Sequence, residues 1–497
     1  QKRTSEASAT GRKAAYMRNP CGSGTDGSVV PDARPAKKRP GVSTMRAVTL
    51  LLAERTAIPA TTSNVACTVC GCVCDDLRVT TDGGRVVSAE GACSLAEPWF
   101  RSQNADHPPA AEIAGTPVEP AAAYDRAAEL LRAAKYPLIF GLSRSTTEGQ
   151  RAAAALADTL GATIDTTAST GHAPSIMALQ QVGESTCTLG EIKNRADLVI
   201  YWGSDPVATH PRHLERYALE PRGRWTPNGR KDRFLVVVDE TETETAKQAD
   251  LFIRIAPGKH WEALWELRML VRRGGADAET RRHGDTETED HGPAPSPPHP
   301  FTPSPLHDLA RRMTTCRCGV VFFGTGLTRD RLAHRTIEAL LQLVTDLNDR
   351  TRFYVRRMRR YGDVAGADSV LAWQTGYPFG VNLSRGYPRY NPGEFTGPEM
   401  LARGEPDLCL LVGSETAADF PPAALAHLRR VPVITLDSPG IPPVVPAAVK
   451  FTTAVYGVHR IGTAYRMDEV PVPLRVLLPT DYPSDAEVLN ELLARVV

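Results

Sequence analysis

The sequence has no excess charge of either sign and no long hydrophobic run. Lysine and arginine total 58 residues against 57 aspartates and glutamates, which gives a formal net charge of +1. No overall field therefore favours nucleic acid or an anionic membrane. The longest apolar stretches, such as 235–238 and 320–323, are far too short to span a bilayer. These absences predict a protein with neither a nucleic-acid partner nor a membrane segment.

The sequence also lacks the marks of a secreted protein. Its ten cysteines are clustered too unevenly for a disulfide framework. Residues 1–44 carry nine basic and three acidic side chains, but no apolar segment of a secretory signal follows them. We therefore predict a cytoplasmic location, where a reducing environment keeps thiolates free to bind metal.

Two segments are too polar to bury a core of their own. The first is the basic N-terminus, and the second runs from charged repeats into a proline-rich stretch near residue 300. The sequence predicts a disordered extension over 1–60 and a disordered insertion or linker over 271–306. These segments leave 61–110, 111–270 and 307–497 as three folded domains.

Four cysteines carry the most specific signal in the chain. The run Cys67-Thr-Val-Cys70-Gly-Cys-Val-Cys74 has C-x2-C-x3-C spacing, and Cys93 follows in a later turn. One loop that supplies three thiolates and a distant fourth is typical of a [4Fe-4S] site. A structural zinc site is the alternative, but it commonly shows two C-x2-C pairs, and the second pair is missing here. Cys72 is out of phase and is interpreted as a bystander.

Short apolar runs that end in Gly or Asp recur in both halves of the chain. Such runs are typical of strands that are buried on both faces, and helical patterns at 147–160 and 329–347 separate them. The pattern predicts two facing Rossmann-like α/β domains with a cleft for a long dinucleotide-like cofactor. The six predicted strands lie within 136–141, 196–204, 234–239, 319–324, 406–414 and 432–437.

The glycine-rich dinucleotide fingerprint G-x-G-x-x-G is absent in its clean form. Gly324-Thr-Gly326 follows a predicted strand, but a tight strand-to-helix turn explains this pair equally well. The Gly and Asp residues at the strand ends still predict cofactor contacts at Gly203, Asp239, Gly324 and Gly413.

Longer strings of residues resemble one protein family. The cysteine run and the α/β halves are similar to molybdopterin oxidoreductases, and within that class to the B subunit of formylmethanofuran dehydrogenase. The resemblance extends from about Cys67 to Pro471 and omits the proline-rich insertion. The strings that carry it are Leu189-Gly-Glu-Ile-Lys-Asn-Arg-Ala-Asp197, Tyr201-Trp-Gly-Ser-Asp-Pro206, His210-Pro-Arg-His213, Trp373-Gln-Thr-Gly-Tyr-Pro-Phe379, Ser384-Arg-Gly-Tyr-Pro-Arg-Tyr-Asn-Pro-Gly-Glu394 and Gly462-Thr-Ala-Tyr-Arg-Met-Asp468.

The resemblance implies a fold, cofactors and partners. It implies a [4Fe-4S] domain before the two α/β domains, without the C-terminal β-barrel of larger relatives. It also implies a molybdopterin or tungstopterin guanine dinucleotide cofactor that interconverts formate and carbon dioxide, in a complex with the A, C and D subunits.

One position departs from the family pattern. The family's metal-binding cysteine or selenocysteine stands just before a histidine, whereas this chain reads Thr167-Ala-Ser-Thr-Gly171-His172-Ala-Pro-Ser175. Gly171 has no side chain and cannot ligate a metal, which puts the pterin–metal centre in doubt. Related formyltransferase/hydrolase complexes keep the four-subunit plan but hydrolyse the formyl carrier. The resemblance therefore implies a redox-inactive B subunit of that kind.

Three arginine and histidine sites follow from the same resemblance. His172 and Arg385 are the predicted catalytic residues, and they are vestigial if the metal is absent. Arg385 and Arg389 are predicted anion clamps, because a guanidinium binds carboxylate or pyrophosphate with two hydrogen bonds. Either arginine could instead pair with Glu394 or Asp239. Two further histidines, His210 and His213, are interpreted as caps of a turn.

Three hypotheses for the function remain open from the sequence. The first is a non-redox subunit of a formyltransferase/hydrolase complex in one-carbon metabolism linked to tetrahydromethanopterin. The second is an active molybdenum or tungsten formylmethanofuran dehydrogenase subunit with an oxygen-ligated or open metal site. The third is an iron–sulfur protein that serves an unrelated electron-transfer partner.

Overall fold

A computed structural model describes residues 59–103, 107–282 and 304–497, with the side chains of 274–282 left out. The described strands β1 to β19 are, in chain order, Ala60–Val65, Leu77–Asp82, Arg85–Glu90, Ala111–Ile113, Thr116–Pro117, Pro137–Gly141, Thr163–Thr166, Leu198–Trp202, Phe234–Asp239, Leu251–Arg254, Cys318–Phe323, Arg352–Arg357, Val381–Asn382, Arg389–Tyr390, Leu408–Val412, Val433–Asp437, Val449–Thr452, Gly462–Tyr465 and Pro471–Leu474.

The helices lie between these strands. The α-helices are Ala96–Ser102, Pro120–Ala133, Thr147–Leu160, Ala168–Gly171, Ala173–Val182, Leu189–Arg195, Pro206–Thr209, His260–Arg282, Pro305–Thr315, Ala333–Asn348, Val364–Thr375, Gly397–Arg403, Pro422–Leu428 and Asp485–Val496. A π-helical turn covers Leu214–Ala218, and 3-10 turns cover Gly229–Asp232, Ala246–Gln248, Thr325–Leu327 and Ser414–Asp419.

The smaller α/β sheet is fully parallel and has the order β10-β9-β8-β11-β12. Its central strand β8 is apolar throughout because both faces are buried. Leu198, Ile200 and Trp202 pack into the core on one side, and Val199 and Tyr201 pack on the other. From β8 the chain adds β9 and then β10 on one side of the sheet. It later adds β11 and β12 on the other side of β8. The strand order therefore reverses between β8 and β11, where open α/β sheets bind ligands.

The larger sheet has nine strands in the order β14-β13-β7-β6-β15-β16-β17-β4-β5. Its five central strands, β7 to β17 in that order, are parallel, and antiparallel pairs extend both edges. The strand order reverses a second time here, between β6 and β15. The six strands predicted from apolar runs are confirmed as β6, β8, β9, β11, β15 and β16.

The prediction that each half of the chain folds into its own α/β domain, 111–270 and 307–497, does not match this topology. Strand β8 from the first half pairs with β11 from the second, and β6 pairs with β15 in the same way. Both sheets therefore combine strands from both halves. Local patterns locate a strand, but its neighbour is chosen by which pairing buries both of its faces.

The predicted N-terminal domain, 61–110, contains an antiparallel meander, β1-β2-β3, and the helix Ala96–Ser102. The cysteine run lies in the connection between β1 and β2, and Cys93 lies between β3 and the helix. The strand β4, which begins at Ala111, already belongs to the larger sheet.

The predicted insertion over 271–306 is too long at its N-terminal end. The helix that begins at His260 continues to Arg282, and the next helix begins at Pro305. Helical continuation from the buried Leu264, Leu267 and Val271 outweighs the polar composition that follows. Residues 283–303 of that prediction, and residues 1–58 of the disordered extension predicted over 1–60, lie outside the described residues, whereas Ala60 already begins β1. No helix in the described ranges is long and apolar enough to cross a membrane.

Candidate functional site

The four predicted cluster ligands lie around one cavity. The wall of this cavity is formed by Cys67, Cys70, Cys74 and Cys93 together with His210 and neighbouring loop residues. The cavity wall also contains Cys72, which is 1 % exposed. Across the three described ranges, no three His, Cys, Asp or Glu side chains converge closely enough to hold a single metal ion.

Two arginines place positive charge at the edge of this cavity. Arg212 donates two hydrogen bonds to Asp76, at 2.8 and 2.9 Å, and Arg216 donates one to Asp75 at 2.9 Å. A hydrogen bond from Cys72, followed by the charges of Arg216 and Arg212, lowers the pKa of Cys74 to about 7. Cys74 is thus a thiol of this loop that ionises near neutral pH.

The backbone of the cysteine loop is held from several sides. The Cys67 N–H donates to the Cys74 carbonyl at 2.8 Å, which closes the loop. Arg144 donates to the Val69 carbonyl at 3.1 Å, and Tyr456 Oη donates to the Thr68 carbonyl at 3.0 Å. These contacts connect the loop to segments that follow β6 and β17.

An open cleft of about 230 Å³ lies at the carboxyl ends of the strands of the smaller sheet. Gly203 follows β8, Gly324 follows β11 and Asp239 ends β9, and all three border the cleft. The structure therefore brings together three of the four strand-end residues predicted to contact a cofactor. Arg329 and Arg360 supply positive charge at the same cleft.

The glycines of the cleft are required by a close backbone approach. Gly203 adopts a φ of +57°, and its carbonyl accepts a hydrogen bond from the Gly326 N–H at 3.0 Å. A Cβ on Gly326 would lie 2.7 Å from the Gly203 Cα, and a Cβ on Gly324 would lie 2.8 Å from the Gly203 oxygen. Gly324-Thr-Gly326 is therefore both a tight turn and part of the cleft wall.

Asp239 lies beside the strand end where Rossmann folds bind a ribose. Its Oδ1 accepts hydrogen bonds from the Glu240 N–H at 2.8 Å and the Thr241 N–H at 3.4 Å. Burial raises the pKa of Asp239. In that fold, a carboxylate at the end of the second strand accepts hydrogen bonds from the ribose hydroxyl groups.

The turn around Gly171 contains buried polar groups. Among the described residues, the buried His172 ring nitrogens and Thr167 Oγ1 make no hydrogen bond of full geometry, although a backbone group of Met358 lies close enough to interact with the His172 ring. Burial, followed by the charges of Arg359 and Arg357, lowers the pKa of His172 to about 3, so the ring is neutral at pH 7. A Cβ on Gly171 would meet no atom within 4 Å. The position in front of His172 is thus open space.

Arg359 connects this turn to the cysteine loop. Its Nη1 pairs with Asp368 Oδ2, and Asp368 Oδ1 accepts a hydrogen bond from Thr166 Oγ1 at 2.8 Å. The backbone carbonyl of Arg359 lies against the loop, because a Cβ on Gly71 would be 2.3 Å from that oxygen.

Comparison with known proteins identifies the family. The chain is 37 % identical over 449 residues to the B subunit of the tungsten-containing formylmethanofuran dehydrogenase 2 of Methanocaldococcus jannaschii, a match that covers 87 % of this chain and 98 % of that protein. This chain belongs to the family of formylmethanofuran dehydrogenase B subunits. It is also 26 % identical over 313 residues to the B subunit of the formyltransferase/hydrolase complex of Methylorubrum extorquens, a match that covers 61 % of this chain and 75 % of that protein. No protein-family model matches the chain.

Two solved structures share the fold of this formylmethanofuran dehydrogenase relative. The formyltransferase/hydrolase complex of Methylorubrum extorquens with methylofuran matches with a TM-score of 0.61 and 24 % identity, over 78 % of this chain and 98 % of that one. Acetylene hydratase from Pelobacter acetylenicus matches with a TM-score of 0.57 and 10 % identity, over 87 % of this chain and 69 % of that one. The mixed α/β fold of this chain is therefore similar to the folds of these two proteins.

The other predicted site residues of this formylmethanofuran dehydrogenase relative lie elsewhere. Gly413 follows β15 in the larger sheet, where a Cβ would be 2.9 Å from the Cβ of Arg144. Arg389 donates to Asn382 Oδ1 at 2.6 Å, across the β13–β14 hairpin. The carboxylate of Glu394, its suggested partner, instead accepts a hydrogen bond from Asn391 at 2.9 Å. Arg385 is exposed on the turn of the same hairpin.

Two further histidines have structural partners. His210 caps the short helix Pro206–Thr209, as interpreted from the sequence, whereas His213 contacts the core. His210 Nε2 donates to the Arg359 carbonyl at 2.7 Å, and its Nδ1 lies 2.9 Å from Thr209 Oγ1. His213 Nδ1 lies 2.8 Å from Tyr201 Oη, which is in the core of the smaller sheet. His210 also borders both the cysteine cavity and the strand-end cleft, which its sequence context did not indicate.

Proposed function

We propose that this chain is a redox-inactive structural component of a formylmethanofuran dehydrogenase-like complex, of the formyltransferase/hydrolase type. The observation that carries the proposal is Gly171, which leaves open space where the resemblance expects a metal-binding sulfur. The relative from Methylorubrum extorquens, a B subunit of such a complex, supports it. The partners are then the A, C and D subunits, and the carrier is a one-carbon unit on a methanofuran-like molecule.

The cysteine cavity fits an iron–sulfur cluster by the chemistry of its donors. Cys67, Cys70, Cys74 and Cys93 would hold a [4Fe-4S] cluster, and Arg212 and Arg216 would stabilise its negative charge. The C-x2-C-x3-C spacing with a distant fourth cysteine suits a cluster better than one zinc ion, which commonly takes two C-x2-C pairs. A bound cluster supplies four metal–sulfur bonds that connect one loop to a later turn.

The residues of this chain suit the dinucleotide part of a pterin cofactor but not its metal. The strand-end cleft has the glycine turn, the acidic residue Asp239 and the guanidinium of Arg329 that suit a dinucleotide. The Gly171 turn offers no sulfur, so the chain lacks the protein ligand that the metal would need. His172 then remains a neutral, buried histidine of the turn, and Arg385 has no role at a reacting atom.

An active dehydrogenase is the second candidate, and two observations favour it. The identity to the tungsten-containing relative is 37 %. The cleft and the space beside Gly171 are also open rather than filled by larger side chains. In that case a metal would be held by its pterins and an oxygen ligand.

Metal and pterin analysis of the complex, purified anaerobically with its co-encoded subunits, separates these functions. We expect about four irons per chain, a brown absorbance and no stoichiometric molybdenum or tungsten. Near one molybdenum or tungsten per chain, with formate-dependent dye reduction, would establish the dehydrogenase instead. A colourless complex that contains zinc would contradict the cluster.

Single substitutions then assign the ligands. Cys70→Ser should lower the iron content by at least half, because a cluster loses one of four bonds. Cys409→Ser is the matched control, since Cys409 is fully buried in the larger sheet and should leave iron unchanged. Cys72→Ser distinguishes a bystander, which retains iron, from a ligand, which does not.

A further inference from the structure

His210 occupies a position that no assigned role explains. It caps the short helix Pro206–Thr209 at the carboxyl end of β8 and is 2 % exposed. Its ring borders the cysteine cavity on one side and the strand-end cleft on the other. A buried ring between two cavities can separate them, connect them or hold their walls in place.

The hydrogen bonds of His210 fix its ring in one form. The Arg359 carbonyl can only accept, so His210 Nε2 carries the proton and donates it at 2.7 Å. Nδ1 lies 2.9 Å from Thr209 Oγ1, whose own proton is donated to the Asp205 carbonyl at 2.7 Å. Burial lowers the pKa of His210 to about 4, so the ring is neutral at pH 7, and it cannot rotate without losing its hydrogen bond to the Arg359 carbonyl.

The carbonyl that His210 holds also supports the cysteine loop. The Arg359 oxygen is so close to Gly71 that a Cβ there would be 2.3 Å away. On its other side, the Gly71 carbonyl accepts the Met467 N–H at 2.8 Å. Gly71 lies between Cys70 and Cys72, so any shift of the Arg359 carbonyl moves the part of the loop that carries the thiols.

Arg359 itself is held at its other end. Its guanidinium pairs with Asp368, a carboxylate that also accepts the Thr166 hydroxyl before the Gly171 turn. The side chain of Arg359 is thus fixed toward that turn, while its carbonyl is fixed by His210. A continuous set of contacts runs from Thr166 through Arg359 to Gly71.

We propose that His210 is a positioning residue that holds the cysteine loop against the strand-end cleft through the Arg359 carbonyl. Its Nε2–H is donated to the Arg359 carbonyl, and it acts by keeping the loop in the shape that binds a cluster. The inference rests on the proposed cluster for its first measurement, and a second measurement is independent of any metal.

The first measurement is the rate at which the full chain, purified with its co-encoded subunits, loses iron to an excess of chelator. His210→Leu removes the donor and should accelerate iron loss about tenfold. His210→Gln places an amide N–H near the position of Nε2 and should stay within about twofold of wild type. His260→Leu is the control, because His260 is 1 % exposed and accepts a hydrogen bond from Trp202 instead.

The second measurement is amide hydrogen exchange of residues 67–74 in the metal-free complex. His210→Leu should accelerate exchange in this loop about tenfold, and the Gln and His260→Leu variants should not. If wild type holds no iron but this pattern of exchange appears, the cluster proposal fails and the positioning role stands. Equal exchange in wild type and His210→Leu, or no rescue by His210→Gln, overturns the positioning role.

Discussion

At the scale of single residues, Gly171 is the position on which the proposed function depends. It ends the short helix Ala168–Gly171, and its backbone is not in the left-handed region. A side chain there has room, because no atom lies within 4 Å of the ideal Cβ. The missing sulfur is therefore not a steric requirement of the fold, and the site can be refilled by substitution.

Gly171→Cys should fold normally and should remain inactive. A glycine in a helix costs about 0.5–1 kcal/mol relative to alanine, so the variant should be equally or slightly more stable. Formate-dependent dye reduction should stay at background, because a single thiol does not load a metal. Thermal unfolding and a dye assay check both points.

The control is Gly362→Cys, whose Cβ would be 2.1 Å from the Thr68 carbonyl and should destabilise the protein. Robust activity in Gly171→Cys would show that the pterin and metal are already present.

His172 should make the protein sensitive to moderate acid. The pKa of this buried ring is about 3 in the folded protein, against about 6.5 in an unfolded chain. Between these values only the unfolded chain binds the proton, so the free energy of unfolding falls as pH falls. From pH 7.5 to 5, this histidine should cost wild type about 2 kcal/mol, at 1.36 kcal/mol per pH unit below 6.5.

Urea unfolding of wild type and His172→Leu at both pH values measures that cost. Leucine cannot bind a proton, and it also removes two buried nitrogens that make no hydrogen bond of full geometry among the described residues. The stability of the variant relative to wild type should therefore grow by about 2 kcal/mol on acidification. A difference between the two proteins that is the same at both pH values would contradict the buried, neutral histidine.

At the scale of elements, the two strand ends of the smaller sheet are joined by glycine contacts. Gly326, in the turn after β11, lies directly on Gly203 after β8, and a hydrogen bond connects them. The corresponding ends in the larger sheet are different, because Arg144 lies over Gly413 and pairs with Glu415. The two α/β sheets therefore both reverse their strand order but present different surfaces where they do so.

Gly326→Ala should disturb the cleft and the fold together. Its Cβ would be 2.7 Å from backbone atoms of Gly203, and backbone cannot move aside as a flexible side chain can. Overpacking of this kind costs about 1–3 kcal/mol. Gly190→Ala is the matched control, since it lies in the helix Leu189–Arg195 with its nearest atom 3.6 Å away. Denaturant titrations compare the two, and equal stability of both variants would show that the contact at Gly203 is looser than described.

At the scale of the whole molecule, large apolar side chains remain exposed in two regions. One region is an open groove bordered by Trp261, Trp265 and Leu332. The other is the helix Val364–Thr375, on which Trp373 is 60 % exposed. Exposed apolar patches of this kind are typical of surfaces that bind other proteins. They are consistent with a chain that acts within a complex.

Expression of this chain alone should give aggregates or poor recovery. Co-expression with the genes for the A, C and D subunits should give a complex of one size, because exposed apolar side chains are then covered. Size-exclusion chromatography of both preparations is the measurement. A stable, monodisperse monomer without partners would count against a role as an obligate component of the complex.

Much of the architecture is present in the sequence itself. The run 234–238 is apolar throughout, and a strand buried on both faces leaves that mark wherever it lies in a sheet. The spacing of Cys67, Cys70 and Cys74 likewise fixes a loop whose thiols face one space, because the intervening residues are too few to separate them. The lack of a sulfur ligand at Gly171 can be predicted from the sequence, because it depends on the identity of that one residue.

The tertiary structure decided what depends on distant residues. It placed β8 beside β11 and β6 beside β15, since strand neighbours are chosen by mutual burial rather than by order in the chain. In the folded structure, Arg385 lies on an exposed turn. His210 lies within hydrogen-bond distance of the Arg359 carbonyl, which is 149 residues away in the sequence. Such contacts carry no local pattern, because a hydrogen bond requires only that donor and acceptor meet when the chain is folded.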